Sequence, residues 1–150
     1  MNCTKATQAD LPFIMEVYLE NIEALHGARR TPETWKSLLA DGRSEYYIVH
    51  ADHPAAWFRL DRDGDTLELG MLQVRRADQR RGIGRYVISA AEAMAKAGGC
   101  RRVLIHTTDD NRPAQALYSS AGYVLTEIGP CTTADGMERT GYTYLKELRP

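Results

Sequence analysis

ADQRRGIGRYVISAAEA, residues 77–93, joins a charged turn to the start of a helix. From Gly82 onward, apolar side chains recur at steps of three and four residues, starting at Ile83. The polar side chains of the same segment fall on the opposite side of the helix. This pattern predicts an amphipathic helix that begins at Gly82 and ends at the pair Gly98 and Gly99, with one face in the core.

The turn before this helix carries a strong positive charge. Five arginines and one aspartate between residues 75 and 85 give a local charge of +4 in a chain whose net charge is −1. The first amides of a helix have no partner inside the helix and carry a partial positive charge. Gly82 and Gly84 would let an anion approach them closely, because neither residue has a Cβ. The turn therefore predicts a polyanion site, with a solvated charged turn as the alternative.

Two common nucleotide-binding motifs do not fit this turn. A P-loop needs a Lys and a Ser or Thr directly after its last glycine, and neither is present here. A dinucleotide-binding turn needs a third glycine at position 87, where Val87 stands. The polyanion is therefore not expected to be held in either of these ways.

The rest of the chain alternates between strand and helix patterns. Strands are predicted over 2–6, 46–51, 55–60, 66–74, 101–107, 123–128 and 141–148. Further helices are predicted over 10–27, 31–42 and 111–122, and a loop over 129–140. Short polar turns join the three strands between 46 and 74, which predicts an antiparallel meander, followed by one right-handed crossover to 101–107. The order indicates a single mixed α/β (α+β) domain over 1–150.

The composition is typical of a globular protein: 43% of residues are hydrophobic and 26% are charged. The small net charge disfavours a nucleic-acid partner. Three cysteines without metal-ligand spacing predict neither a disulfide nor a metal site. The chain shows no signal peptide and no apolar run long enough for a membrane span, so a cytoplasmic location without membrane contact is expected.

The predicted strand 66–74 contains a phase slip. Leu67, Leu69 and Met71 place apolar side chains on odd positions, whereas Leu72 and Val74 continue the series on even ones. A β-bulge between Met71 and Leu72 would absorb the slip. The alternative is a strand buried on both faces, where the phase carries little meaning.

Two motifs in this chain resemble those of the GNAT superfamily of N-acetyltransferases. QRRGIG, residues 79–84, is similar to its Q/R-x-x-G-x-G/A signature, and DNRPAQALYSSAGY, residues 110–123, is similar to its N-x-x-A-x-x-L-Y-x-x-x-G-F/Y segment. Both stand in the family's order. The resemblance implies the GNAT fold, a mostly antiparallel twisted sheet of six to seven strands with a splayed centre, flanked by about four helices.

The resemblance also implies a function. Members transfer an acetyl group from acetyl-CoA, the cosubstrate, to a primary amine of a small molecule or peptide, by direct attack in a ternary complex and without a metal. A non-catalytic acyl-CoA sensor or scaffold on the same fold is the alternative. A homodimer is compatible with the resemblance, and the acceptor is left open, because the segments that would shape its site match nothing specific.

Cofactor-binding residues are carried over from the family position by position. The backbone of the signature loop would hold the pyrophosphate, and the bulged strand would pair with the pantetheine arm. Asn111 and Tyr118 would lie near the sulfur, although Asn111 is also a good helix cap. The loop and strand residues are Gln79, Arg80, Arg81, Gly82, Ile83, Gly84 and Arg85, and Leu72, Gln73 and Val74.

Two residues are predicted to act in catalysis. Tyr118 matches the tyrosine that protonates the departing thiolate in many members; a half-buried structural aromatic is the alternative. Glu68 lies where several members have a catalytic glutamate, and is predicted to deprotonate the amine. His106 is the rival base because of its ordinary pKa, although a lone histidine on an apolar strand is more often structural.

Overall fold

A computed structural model describes residues 1–149. Seven strands form one sheet in the order β1-β2-β3-β4-β5-β7-β6. They are β1 (Asn2–Lys5), β2 (Ser44–His50), β3 (Pro54–Asp63), β4 (Thr66–Val74), β5 (Arg102–Thr108), β6 (Val124–Thr132) and β7 (Glu138–Glu147). Four α-helices accompany them: α1 (Leu11–Asn21), α2 (Pro32–Asp41), α3 (Ile83–Ala97) and α4 (Arg112–Ser120). The predicted mixed sheet with about four helices is confirmed.

The sheet separates two apolar clusters. On one face, α3 buries the side chains that its periodicity predicts, among them Ile83, Val87 and Ala91, against β3, β4 and β5. On the other face, α1 and α2 pack around Trp35 and Trp57, which are almost fully buried. Each large apolar side chain buried in this way contributes about 1.5–3 kcal/mol. No helix within residues 1–149 is both long and apolar enough to cross a membrane.

The strand β4 contains the predicted bulge. Trp57 on β3 pairs with Gln73, and Arg59 pairs with Gly70. Phe58, which lies between Trp57 and Arg59, therefore faces two residues of β4, Met71 and Leu72. Met71 has a φ of 45°, in the left-handed region. The phase slip thus marks a real bulge, which places Leu69 and Leu72 in the same apolar cluster although they are three residues apart.

The sheet opens in its middle. Along the described chain, β4 and β5 are the one parallel pair, and their register runs only from Thr66↔Arg102 to Leu69↔Ile105. Both strands continue beyond that point, β4 to Val74 and β5 to Thr108. The backbone groups that face each other there are left without a ladder, and a cleft opens between the strands. The predicted splayed centre is confirmed.

Two predicted boundaries are wrong. Residues 129–140 are not a loop, because β6 runs to Thr132 and β7 starts at Glu138, which leaves only a short turn. The proline at 130 does not prevent this, since β6 is an edge strand and needs hydrogen bonds on one side only. The first helix ends at Asn21, before the predicted residue 27, and a turn closed by the Gly27 amide on the Ile22 carbonyl follows it.

Candidate active site

The opening between β4 and β5 leads into two adjoining cavities. One, of about 790 Å³, lies between the end of β4, the start of α3 and α4, and we call it the loop end. The other, of about 600 Å³, lies between the end of α1, β5 and the β6–β7 hairpin, and we call it the hairpin end. Asn21, Leu72, Asn111 and Tyr118 line both, so the two ends form one continuous cleft.

The loop end is built around the free N-terminus of α3. Gly82 precedes the helix with a φ of 81°, and no side chain among residues 1–149 caps the first amides. Arg80 also has a positive φ, of 63°, so the turn bends twice in the left-handed sense. A Cβ on Gly84 would lie 2.9 Å from Leu117 Cδ2 of α4, so glycine lets α3 and α4 approach without moving that side chain. Unpaired amides therefore face this cavity.

Only part of the basic cluster faces the loop end. Arg80 and Arg85 line it. Arg81 is exposed, and its guanidinium lies 3.7 Å from Asp78. The amide of Arg76 donates to Glu20 Oε1 at 2.7 Å, which draws that residue toward α1. The positive charge in the cavity is thus smaller than the sequence indicates.

A buried carboxylate holds the turn in place. Asp78 is 4% exposed, and its Oδ1 lies 2.9 Å from His53 Nε2 on the β2–β3 turn. This hydrogen bond raises the pKa of His53. The contact ties the loop end to the sheet, and the sequence offered no signal for it because the two residues lie on separate turns.

A polar network closes the junction of the two ends. Asn21 Nδ2 donates to Gln73 Oε1 at 3.2 Å and to the Val74 carbonyl at 3.0 Å. Gln79 Nε2 donates to the same carbonyl at 3.3 Å. The Val74 carbonyl is therefore already engaged, whereas Leu72 faces the cleft. Asn21 was missed from sequence; a buried polar residue on the apolar side of α1 was its only signal.

Tyr118 lies where the two ends meet. Its side chain is buried, with its ring 5.6 Å from that of Tyr144, and its hydroxyl has no hydrogen-bond partner among residues 1–149. Burial raises the pKa of Tyr118 to about 12. The phenol is therefore protonated near neutral pH and able to donate into the cleft. Asn111 lies nearby, and its Oδ1 caps α4 by accepting from the Ala114 amide at 3.3 Å.

The two candidate bases are in contact with each other. His106 Nε2 lies 3.0 Å from Glu68 Oε1, and His106 Nδ1 lies 2.9 Å from Thr143 Oγ1. His106 lines the hairpin end, but Glu68 lines neither end. Their hydrogen bond raises the pKa of His106 and lowers the pKa of Glu68. The arrangement places an imidazole in the cleft with a carboxylate behind it.

The sequence profile of the Acetyltransferase (GNAT) family matches residues 11–123, well over half of the chain. The chain belongs to the GNAT family. It is also 30% identical over 87 residues to Probable N-acetyltransferase 14 of Xenopus tropicalis, which covers 58% of this chain. That match spans only 38% of the frog protein's length.

The GNAT fold is shared with solved structures. The chain is similar to the ribosomal-protein-alanine N-acetyltransferase of Brucella melitensis, with a TM-score of 0.85 at 16% identity over 99% of this chain and 100% of that one. It is also similar to the Salmonella typhimurium protein yncA, solved with its cofactor acetyl-CoA, with a TM-score of 0.80 at 20% identity over 100% of this chain and 95% of that one. The predicted fold is confirmed.

Most residues predicted from the GNAT motifs come together in the cleft. Those that line the loop end are Leu72, Val74, Gln79, Arg80, Gly82, Ile83, Gly84, Arg85, Asn111 and Tyr118. Gln73 lines the hairpin end, and Arg81 lines neither. Their roles stay predictions. Among residues 1–149, no three His, Cys, Asp or Glu side chains are grouped so that they could hold a metal ion; the expected metal-free reaction also stays a prediction.

Proposed function

We propose that this GNAT-family chain is an acetyl-CoA-dependent N-acetyltransferase that moves the acetyl group to a primary amine by direct attack in a ternary complex. One observation carries the proposal. The uncapped amides at the start of α3 and the unpaired edge of β4 open into the same cleft, and Tyr118 stands between its two ends. The single domain assigned to 1–150, the cytoplasmic location, a homodimer, and the lack of nucleic-acid and membrane partners are kept as predictions.

The loop end would hold acetyl-CoA. Its diphosphate would accept hydrogen bonds from the amides of Gly82, Ile83, Gly84 and Arg85, because helix N-termini favour anions. The pantetheine arm would lie along β4 beside Leu72, where β5 no longer supplies a ladder. Because the Val74 carbonyl already accepts from two side chains, the free edge of β4 is shorter than the sequence indicates.

The acyl transfer requires protonation of the leaving thiolate and deprotonation of the amine nitrogen. The amine nitrogen forms a bond to the thioester carbon, the oxygen becomes an oxyanion near the amide of Leu72 or Gln73, and the C–S bond then breaks. Tyr118 donates its proton to the departing CoA thiolate. The amine nitrogen loses two protons: one from the ammonium before attack, which for an ordinary pKa at neutral pH costs about 4.6 kcal/mol, and one from the tetrahedral intermediate, which returns to the Tyr118 phenolate.

The Glu68 and His106 pair would receive the proton that the ammonium loses. His106 faces the cleft and Glu68 holds its Nε2, so the proton would arrive at Nδ1, in place of the hydrogen bond between Nδ1 and Thr143 Oγ1, and the carboxylate would stabilise the resulting charge. Glu68, predicted as the base, is thereby proposed to act through His106. Neutral His106 is the active form, so the rate should rise as pH passes through its raised pKa.

Calorimetric titration with acetyl-CoA tests the cofactor site. Gly82→Asp places a carboxylate against the diphosphate and should abolish binding. Gly64→Asp is the matched control, since Gly64 also has a positive φ and open space around it, but lies on the β3–β4 turn. Equal affinity in both variants would overturn the assignment of the loop.

Acetyl-CoA consumption in the presence of a panel of amines tests the transfer. One observation favours the alternative of a non-catalytic acyl-CoA sensor: both ring nitrogens of His106 already have partners without any substrate, Nε2 at Glu68 and Nδ1 at Thr143. Tight acetyl-CoA binding without turnover of any amine would support that alternative. Turnover that depends on both acetyl-CoA and an amine would exclude it.

A further inference from the structure

A second bulge turns one carboxylate into the cleft. Leu125 on β6 pairs with Tyr144, and the next pair is Glu127 with Thr143, so Thr126 is an extra residue. Without it, Glu127 would lie opposite Tyr142 and share the sheet face of Tyr144, which belongs to the apolar cluster under α3. The bulge therefore moves the Glu127 side chain to the opposite face of the sheet, where it lines the hairpin end.

Glu127 stands in one row with the reacting groups. His106 pairs with Thr143 across β5 and β7, and Thr143 pairs with Glu127 across β7 and β6. Two strand spacings separate the backbones of His106 and Glu127, or roughly 10 Å. The Glu127 carboxylate is one of the charges that raise the pKa of His106, and its place across β7 lets it contact a different part of the acceptor than the reacting nitrogen.

The hairpin end contains a carboxylate that can pair with a cation, but almost no group that can pair with an anion. Within the described chain, Glu127 is the only carboxylate residue that lines it, and it makes no ion pair within 4.0 Å. Among residues 1–149, no Lys or Arg lines this cavity, and the one side chain there that can become a cation, His106, must be neutral to act as a base. Apolar side chains form much of the remaining wall: Tyr18, Ile22, Leu25, Met71, Pro130 and Tyr142.

We infer that the acceptor is an amine with an apolar body, without any acidic group, and with a second positive charge that Glu127 receives. The inference rests on the proposed acetyl transfer. The inference distinguishes between classes of amine acceptor that the sequence motifs do not distinguish. A free amino acid would bring its carboxylate into a cavity without a cationic partner, beside Glu127.

Three probes with the same carbon chain test this. Cadaverine carries two amino groups, pentylamine lacks the second one, and lysine adds a carboxylate to cadaverine. For the wild-type protein we expect kcat/KM to be highest for cadaverine, about fivefold lower for pentylamine and lower again for lysine, since a partly exposed ion pair contributes modestly.

The variant Glu127→Gln should remove the preference for cadaverine over pentylamine while leaving the pentylamine rate within twofold. Glu16→Gln is the control, because Glu16 is an exposed acid on α1 that lines neither end of the cleft. Acetyl-CoA affinity should be unchanged in both variants.

The outcomes distinguish failure of the acceptor inference from failure of the proposed function. Transfer that favours lysine, or a cadaverine preference that persists in Glu127→Gln, overturns this inference and leaves the proposed function standing. A wild-type protein that acetylates no amine overturns the proposed function, and the inference falls with it.

Discussion

The two ends of the cleft are made in different ways. One wall of the loop end comes from a continuous segment, 79–85, whose amides open into the cavity because a glycine precedes α3. The hairpin end combines side chains from β5, β6 and β7, and two of its features depend on bulges and register. The loop end thus presents main-chain amides to the cleft, whereas the hairpin end presents side chains. The first end should therefore tolerate few backbone changes, and the second should respond to single side-chain exchanges.

The largest effect is expected at the junction. Tyr118→Phe should lower kcat about 100-fold, since it removes the proposed donor to the thiolate, and should leave acetyl-CoA affinity unchanged. Steady-state rates at saturating acetyl-CoA and amine give kcat, and calorimetric titration gives the affinity for acetyl-CoA. Tyr123→Phe is the control, because Tyr123 is also buried but donates to Glu92 at 3.0 Å, away from the cleft. A similar loss of kcat in both variants would make Tyr118 a structural residue.

A smaller effect is expected at the hairpin end. His106→Gln should lower kcat/KM about tenfold at neutral pH, because the amine proton loses its acceptor. Glu68→Gln should move the acidic limb of the pH–rate profile to lower pH, because the hydrogen bond that His106 Nε2 donates to the Glu68 carboxylate is what raises the pKa of His106. Arg85→Gln at the loop end should weaken acetyl-CoA binding and leave that limb in place. A limb that stays fixed in Glu68→Gln would contradict the proposed pair.

Close packing at the loop end predicts a further change. Gly84→Ala brings a Cβ to 2.9 Å from Leu117 Cδ2, so the Leu117 side chain must shift, at a cost of about 1 kcal/mol of the free energy of unfolding that opposes the similar gain of Ala over Gly in a helix. Urea denaturation measures the sum of the two effects. The double variant with Leu117→Ala should recover part of the packing cost, because the added methyl group then has space. If the second change only adds to the loss, the two side chains are not in conflict.

The smallest effect is expected in how the stability of the fold depends on pH. Glu68 stabilises the fold above its ordinary pKa of 4.5, and this contribution is lost as pH falls through its lowered pKa. His106 stabilises it below its ordinary pKa of 6.5, and this is lost as pH rises through its raised pKa. The difference in Tm between wild type and Glu68→Gln should therefore be largest between those values. It should correspond to less than about 1 kcal/mol, since both groups are partly exposed.

Sequence patterns were sufficient where the cause is local. The apolar steps from Ile83 predict α3, and the odd-to-even slip at Met71 and Leu72 predicts the β4 bulge, because both patterns reflect neighbours along the chain. The bulge at Thr126 left no such slip to detect, since β6 is an edge strand whose residues are mostly exposed.

Contacts between distant segments could not be predicted from the sequence. The pairing of Glu68 with His106 requires the parallel register of β4 and β5, and the tie between Asp78 and His53 joins two separate turns. Asn21 was missed for the same reason, because its partners lie on β4. The roles of such residues depend on three-dimensional neighbours that a motif does not record.

The edge position of β6 has a consequence for how acceptor preference could change. Within the sheet, the strand that carries Glu127 contacts only β7, while the loop proposed to hold the diphosphate precedes α3 on the other side of the opening. An exchange of the β6–β7 segment between homologues should therefore transplant substrate choice and leave the acetyl-donor apparatus intact.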